Sequence, residues 1–389
     1  MTTKIADRAA QIQPFYVMQL LKRAQALEAL GRNIIHLEIG EPDFTTPAPI
    51  LAAASDFLKL GEVKYTQAAG LPELRAKIAA FYAQRYQVRL SPEQIFITPG
   101  ASGALLLALS ATVNAEDRIL MADPCYPCNR HFLQILGADA KLIPVDAGTR
   151  YQLTAELVDQ HWDANVKGVL LASPANPTGT VIPSAELQNI IAAVSKRAGF
   201  YFSDEIYHGL VYGTEASSAL QFSDSAFVIN SFSKYFGMTG WRIGWLVVPE
   251  AFVTVTERLM QNLFIASSTP AQYAALAAFE PETLIELEGR RAELQQRRDL
   301  LLQGLLALGF DIPCQPDGAF YIYANCQKFT QDSFQFAVDL LEAEGVAITP
   351  GKDFGRHAAN QYVRFAYTTT QARISEALDR IHNFIARGC

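Results

Sequence analysis

The stretch Ser231-Phe232-Ser233-Lys234-Tyr235-Phe236-Gly237-Met238-Thr239-Gly240-Trp241-Arg242-Ile243-Gly244 follows a strand-like apolar run, Ala226-Phe227-Val228-Ile229. It sets one lysine among small and aromatic residues, with no acidic neighbour in the local sequence. Burial in such company disfavours the charged form and leaves an amine available for Schiff-base chemistry near neutral pH. Eight residues on stands Arg242, ringed by Gly, Trp and Ile. An arginine keeps its charge, so it needs an anion, and serine hydroxyls suit a phosphate. An amine nucleophile beside a phosphate clamp points to a phosphorylated aldehyde cofactor. Taken alone, the run is equally compatible with a strand-to-loop junction carrying a solvated lysine.

Working outward, apolar runs alternate with helical patterns from Leu71 to Pro249. Gln94–Thr98, Asp117–Met121, Lys141–Val145, Gly168–Ala172, Phe200–Ser203, Ala226–Asn230 and Trp245–Val248 read as strands, and Leu71–Tyr86, Ala104–Ala111 and Ser184–Arg197 as helices. Such alternation predicts an α/β fold, a mainly parallel seven-stranded-type sheet sandwiched by helices. Ligands bind such sheets beyond the strands' C-terminal ends, where several candidate motifs stand.

The turn Pro99-Gly100-Ala101-Ser102-Gly103 can aim backbone N–H groups and a positive helix end at a phosphate. It lacks the Walker lysine and the three-glycine dinucleotide pattern, and a ligand-free βα turn reads the same way. The loop Ser173-Pro174-Ala175-Asn176-Pro177-Thr178-Gly179 offers a carboxamide and room for a cis X-Pro bond, or is a plain surface turn. Asp204 and Tyr207 pair a carboxylate with a phenol, although Asp204 also suits a helix N-cap. Cys125-Tyr126-Pro127-Cys128 has redox or zinc spacing. No second pair matches it, and the intervening Tyr-Pro is unlike a helix start, so a metal or redox role is not expected.

Before this region, Pro14–Gly31 shows helical spacing, and Asn33–Ile39 reads as a strand ending in Gly40-Glu41-Pro42-Asp43-Phe44. Pro49–Leu60 is a helix candidate, and the loop Lys64–Gly70 carries Tyr65. After it comes a long helix, Glu282–Leu308, stopped by Gly309. Strands at Gly318–Ala324, Val346–Thr349 and Tyr362–Ala366 then mix with helices at Phe334–Glu344 and up to Ala386. The expected division is a large unit over 46–280 and a smaller α+β unit from 1–45 with 281–389.

The 389 residues are 50% hydrophobic and 18% charged, enough for a sizeable core and too apolar for disorder. A net charge of -7 without a basic run argues against a nucleic-acid partner. No apolar run is long enough to span a bilayer, so no membrane association is expected. Five cysteines, an odd number, without a secretory h-region indicate a cytoplasmic protein with reduced thiols. The six histidines show no metal spacing.

With these pieces in order, the chain resembles the fold-type I pyridoxal-phosphate enzymes, in particular the class I/II aminotransferases. The resemblance runs from Ile39-Gly40-Glu41-Pro42-Asp43-Phe44 to Arg364. It is carried chiefly by Asn176-Pro177-Thr178-Gly179, Asp204-Glu205-Ile206-Tyr207 and Ser231–Gly244. It implies pyridoxal 5'-phosphate as cofactor, and Lys234 as the amine that takes up its aldehyde and later moves the proton at the substrate Cα. Asp204 would pair with the ring nitrogen, Tyr207 and Asn176 with the phenolic oxygen, and Tyr126 would stack on the ring. Ala101, Ser102, Ser231 and Arg242 would hold the phosphate, together with Tyr65 of the neighbouring subunit, which implies a homodimer with shared active sites. Arg364 would fork onto the substrate α-carboxylate beside Gly40.

One departure concerns selectivity. Aspartate-specific members carry small hydroxyl residues where Phe15, Tyr16 and Val17 stand here. If that segment lines the side-chain pocket, Phe15 and Tyr16 favour an apolar or aromatic substrate; otherwise they only pack the helix. The implied reaction moves an amino group from an L-amino acid to a 2-oxo acid such as 2-oxoglutarate. The alternatives are a β-lyase on the same scaffold and an aspartate-preferring aminotransferase. A sensor domain fused to a DNA-binding module would need a domain ahead of the resemblance, which begins within about the first 15 residues.

Overall fold

A computed structural model describes residues 4–388. Residues 1–3 and 389, which fall in the expected smaller unit, lie outside the described residues. Seven strands form the central sheet, in the order Ile95–Thr98, Gly244–Val247, Phe227–Ser231, Phe200–Asp204, Val166–Ala172, Arg118–Asp123 and Asp139–Pro144. Gly244–Val247 runs antiparallel to both neighbours, and the remaining pairs are parallel.

Successive strand side chains point to opposite faces, and both faces are covered. Along Arg118–Asp123, Leu120 and Ala122 enter one core while Ile119 and Met121 enter the other. Along Phe227–Ser231, Val228 faces one core, and Phe227 and Ile229 face the other. This explains the near-continuous apolar runs, since a strand buried on both sides has no polar face to alternate with.

The smaller sheets are peripheral. Thr349–Pro350, Tyr362–Ala366 and Tyr321–Asn325 form an antiparallel three-stranded sheet. Ile35–His36 pairs in parallel with Val346–Ala347. The expected strand Asn33–Ile39 is therefore only two residues long. Beyond it the carbonyls of Glu38 and Gly40 accept from arginine and lysine side chains instead of a neighbouring strand.

Other departures have local causes. The Pro99–Gly103 turn forms part of the helix Gly100–Ser110, which begins four residues before the expected Ala104. Tyr126-Pro127 does start a helix, Pro127–Ile135, with Pro127 at its first position, where the missing N–H costs nothing. Val253–Leu263 is helical although it opens on Val253, Thr254, Val255 and Thr256. Those β-branched residues carry no helical signal, and the packing of Met260 and Thr256 overrides their propensity. Thr269–Leu276 is likewise a helix that the sequence pattern did not announce.

Candidate active site

The lysine-bearing stretch leaves the sheet at Ser231 and is pinned on both sides of Lys234. The Phe232 ring packs 4.9 Å from Trp245, 5.1 Å from Phe236 and 5.7 Å from Phe279. Phe232, Phe236 and Trp245 are all buried, so the aromatic residues read from the sequence are the loop's anchors. Truncating Phe232 to alanine would cost about 3–5 kcal/mol.

Lys234 Nζ donates to the Gly40 carbonyl at 2.7 Å and lies 5.5 Å from the Phe320 ring centroid. Burial lowers its pKa from 10.5 to about 8, although Glu41 and Asp204 act in the opposite sense. Asp204 is buried at the C-terminal end of its strand, and its Oδ1 accepts from the Ile206 N–H at 3.2 Å. No α-helix follows it, so the N-cap alternative falls away. Burial pushes its carboxyl up to about 6, against the pull of the Ile206 N–H and Lys234. Asp204 is thus a carboxylate short of positive charge, aimed into the same cavity as the amine.

Opposite them the helix Gly100–Ser110 begins with Pro99 as its N-cap and no side-chain cap, leaving its first N–H groups open. Gly100 has φ +69°, and a Cβ there would sit 2.6 Å from Arg242 Nη2, so the guanidinium rests against the helix start. Arg242 Nη1 donates to the Thr239 carbonyl at 3.1 Å, and among the described residues Arg242 has no carboxylate partner. Ala101 and Ser102 line the cavity beside it. The Ser231 hydroxyl is turned to the Ile243 carbonyl at 3.1 Å and the Ser233 hydroxyl at 2.9 Å. It does not line the cavity; Ser233 does.

Arg364 is 5% exposed and donates to Asn176 Oδ1 at 2.9 Å, the Glu38 carbonyl at 2.6 Å and Thr349 Oγ1 at 3.1 Å. Its guanidinium lies 4.1 Å from the Tyr321 ring centroid and 4.8 Å from that of Phe354. Its Nε has no partner, and no carboxylate pairs with it among the described residues. A buried, permanent cation in that condition calls for an anion. Tyr207 and Tyr321 share a hydroxyl–hydroxyl bond of 3.0 Å. Gly40 is required nearby, because a Cβ there would collide with the Tyr321 hydroxyl.

These groups line one cavity of about 310 Å³, at the lower end of the ~300–1,000 Å³ usual for small-molecule sites. Lys234, Asp204, Tyr207, Ala101, Ser102, Tyr126, Asn176, Arg242, Gly40, Arg364 and Phe15 come together in it. Tyr65 is 81% exposed and outside it. Tyr16 turns away, its ring 5.2 Å from Phe334, and Val17 and Met18 line the wall with Phe15 instead. Tyr321, Thr349, Asp353 and Phe354 escaped the sequence reading, which has Ser233 only as one of the serines of the lysine-bearing stretch. The alternating aromatics of Gly318–Ala324 were the available signal for Tyr321. The CxxC pair has no reactive thiol at Cys125, which burial pushes up to about 12. The Ser173–Pro174 and Asn176–Pro177 peptides are both cis.

Comparison with known proteins places this geometry in context. The family described as "Aminotransferase class I and II" matches residues 32–381. The valine–pyruvate aminotransferase of Mycobacterium tuberculosis is 42% identical over 99% of this chain and 99% of its own length. A (5-formylfuran-3-yl)methyl phosphate transaminase of Methanocaldococcus jannaschii is 38% identical over 98% of this chain and 99% of its own. The crystal structure of an aminotransferase from Mycobacterium tuberculosis superposes with a TM-score of 0.96 at 42% identity, covering 99% of this chain and all of the other.

Proposed function

The chain belongs to the class I and II aminotransferases, and on that footing we propose that its substrates are amino and 2-oxo acids with uncharged, apolar side chains. It transfers an amino group, as its relatives do, and uses pyridoxal phosphate as cofactor. The residues present fit that group. An uncapped helix start beside Arg242, which has no carboxylate partner among the described residues, suits a phosphate. A buried Asp204 that makes no ion pair among the described residues suits a protonated pyridine nitrogen. When bound, the cofactor would supply an electron-withdrawing ring able to stabilise negative charge at the substrate Cα.

The chain's own groups then divide the work. Lys234, with its pKa near 8, holds a usable neutral fraction at neutral pH. Its amine would hold the cofactor through the aldehyde and, once freed, would carry the proton at the substrate Cα. Asp204 would pair with the ring nitrogen and favour its protonated form. Tyr207, fixed by Tyr321, and Asn176 would donate to the phenolic oxygen, and Tyr126 would cover the ring. Ala101, Ser102 and Arg242 would hold the phosphate, and Ser231 sets Ser233 against the cavity wall. Arg364, stacked between two rings, binds the α-carboxylate. Residues 46–280 form the cofactor-binding unit, and 1–45 with 281–389 close over it. The chain works as a cytoplasmic homodimer in which the exposed Tyr65 serves the neighbouring site.

The observation that carries the substrate class is the apolar wall of the cavity that Arg364 also lines. Phe15, Val17, Met18, Leu21 and Leu105 line it, and the lining cations are Lys234, Arg242 and Arg364, each already committed. A second substrate carboxylate meets no free charge there. The name of the 42% identical relative, valine–pyruvate aminotransferase, carries two such side chains. The test is kcat/KM for leucine, valine, alanine, phenylalanine and aspartate, with pyruvate and 2-oxoglutarate as acceptors. Preference for aspartate over every apolar amino acid would overturn the substrate assignment. Pyruvate and ammonia released without an acceptor would point to a lyase.

A further inference from the structure

We infer that Asp353 is a positioning residue for substrate selectivity, fastening the apolar wall at a fixed distance from Arg364. The helix Tyr16–Ala29 has Phe15 as its N-cap, with no side-chain cap of its own. Its first two amides are satisfied across 336 and 337 residues of sequence: Tyr16 N–H donates to Asp353 Oδ1 at 2.7 Å and Val17 N–H to Oδ2 at 2.8 Å. A carboxylate at that position satisfies two open donors and sits at the positive end of the helix. Asp353 is 3% exposed and itself lines the substrate cavity.

The segment that carries it is held at every step. Thr349 accepts from Arg364 at 3.1 Å, and the Phe354 ring stacks on the same guanidinium. The Phe354 carbonyl accepts from the Cys125 N–H at 2.8 Å. The Arg356 and His357 N–H groups donate to the buried Asp123 carboxylate at 3.1 Å. Residues 349–357 thus bind the carboxylate-reading arginine, the end of the Arg118–Asp123 strand and the Phe15–Leu21 wall into one body. Within that body Asp353 reaches the wall through both of its carboxylate oxygens at once, so its loss frees Phe15 and Val17 while leaving Arg364 and Lys234 in place. The inference rests on the reading that this wall faces the substrate side chain.

The test combines hydrogen exchange with a double-mutant cycle in the holoenzyme. In Asp353→Ala the Tyr16 and Val17 amides should exchange at least about tenfold faster, as expected for a lost cap. KM for leucine should rise about tenfold more than KM for alanine, with the effect in KM and not in kcat. Phe15→Ala should lose the same leucine-over-alanine preference, and adding Asp353→Ala to it should cost nothing more, because one acts through the other. Should Asp353→Ala not accumulate as holoenzyme, Asp353→Asn serves: its single acceptor oxygen protects one amide and should give an intermediate leucine KM. Unchanged exchange, an unchanged leucine-to-alanine ratio, or additive losses in the double variant would each overturn the inference. A wild type that prefers aspartate would defeat the apolar reading alone, and amide exchange would still decide whether Asp353 holds the wall.

Discussion

Replacing Arg364 with lysine keeps the charge and removes the planar fork. The guanidinium reaches Asn176, the Glu38 carbonyl and Thr349 simultaneously while lying between Tyr321 and Phe354. An ammonium presents its three donors from one point and cannot span those acceptors. The loss of one of two bonds to the substrate carboxylate is worth about 1.5–3 kcal/mol, and the loss of ring stacking about 0.5–1 kcal/mol. Together they give about 3 kcal/mol, roughly 150-fold in kcat/KM. The assay is steady-state kcat/KM of Arg364→Lys for L-leucine and for isoamylamine, which has the same chain without the carboxylate. Leucine should lose roughly 150-fold while the amine stays within about threefold of wild type. A leucine rate within about fivefold of wild type would refute the assignment. Equal losses on both compounds would place the effect in the fold and not in carboxylate recognition.

Three further outcomes are expected. Lysine is neutral above its pKa, so lowering Lys234 from 10.5 to about 8 raises the neutral fraction at pH 7 to about a tenth. Uptake of pyridoxal phosphate by the cofactor-free protein should climb with pH and reach half its maximum near pH 8; a midpoint above 10 would contradict the burial of Lys234. Asp204 has a folded pKa raised from 3.8 to about 6, so the folded state binds more protons between those values and stability falls as pH rises through them. Cofactor-free Asp204→Asn should therefore melt higher than wild type at pH 7.5 and not at pH 3.5, while the holoenzyme loses about 10²–10⁴ in kcat. An unchanged kcat would detach Asp204 from the ring nitrogen. Tyr65→Phe should weaken cofactor retention about tenfold, the worth of one charge-assisted hydrogen bond, although Tyr65 lies outside its own chain's cavity. Equal retention in dialysis would remove the shared-site proposal.

Much of the site was legible because its residues sit at strand ends, and strand ends are written in apolar runs. Asp204, Ser231 and the Gly100 helix start each follow such a run directly. The misreadings fall where local signal and final structure part company. Ser231 and Ser233 are indistinguishable by composition, and the hydrogen bond to Ile243 decides which one lines the cavity. Phe15, Tyr16 and Val17 form one apolar triplet, and helical rotation sends Tyr16 to Phe334 while its neighbours face the site.

The sequence by itself determined the doubly covered sheet, the pinned lysine and the need of Arg242 for an anion, because burial patterns and permanent charge are local properties. Tertiary structure alone decided what each charged group meets. Lys234 has no acidic neighbour along the chain, yet Glu41 and Asp204 are brought close enough to oppose the effect of its burial. Arg364 finds Asn176 across 188 residues and the Glu38 carbonyl across 326. The helix that carries Phe15 and Val17 at its start is capped by Asp353, more than three hundred residues away along the chain. Periodicity records which face of an element is buried. It carries no information on which distant element supplies the partner, since that depends on how the packed layers bring the strand ends together.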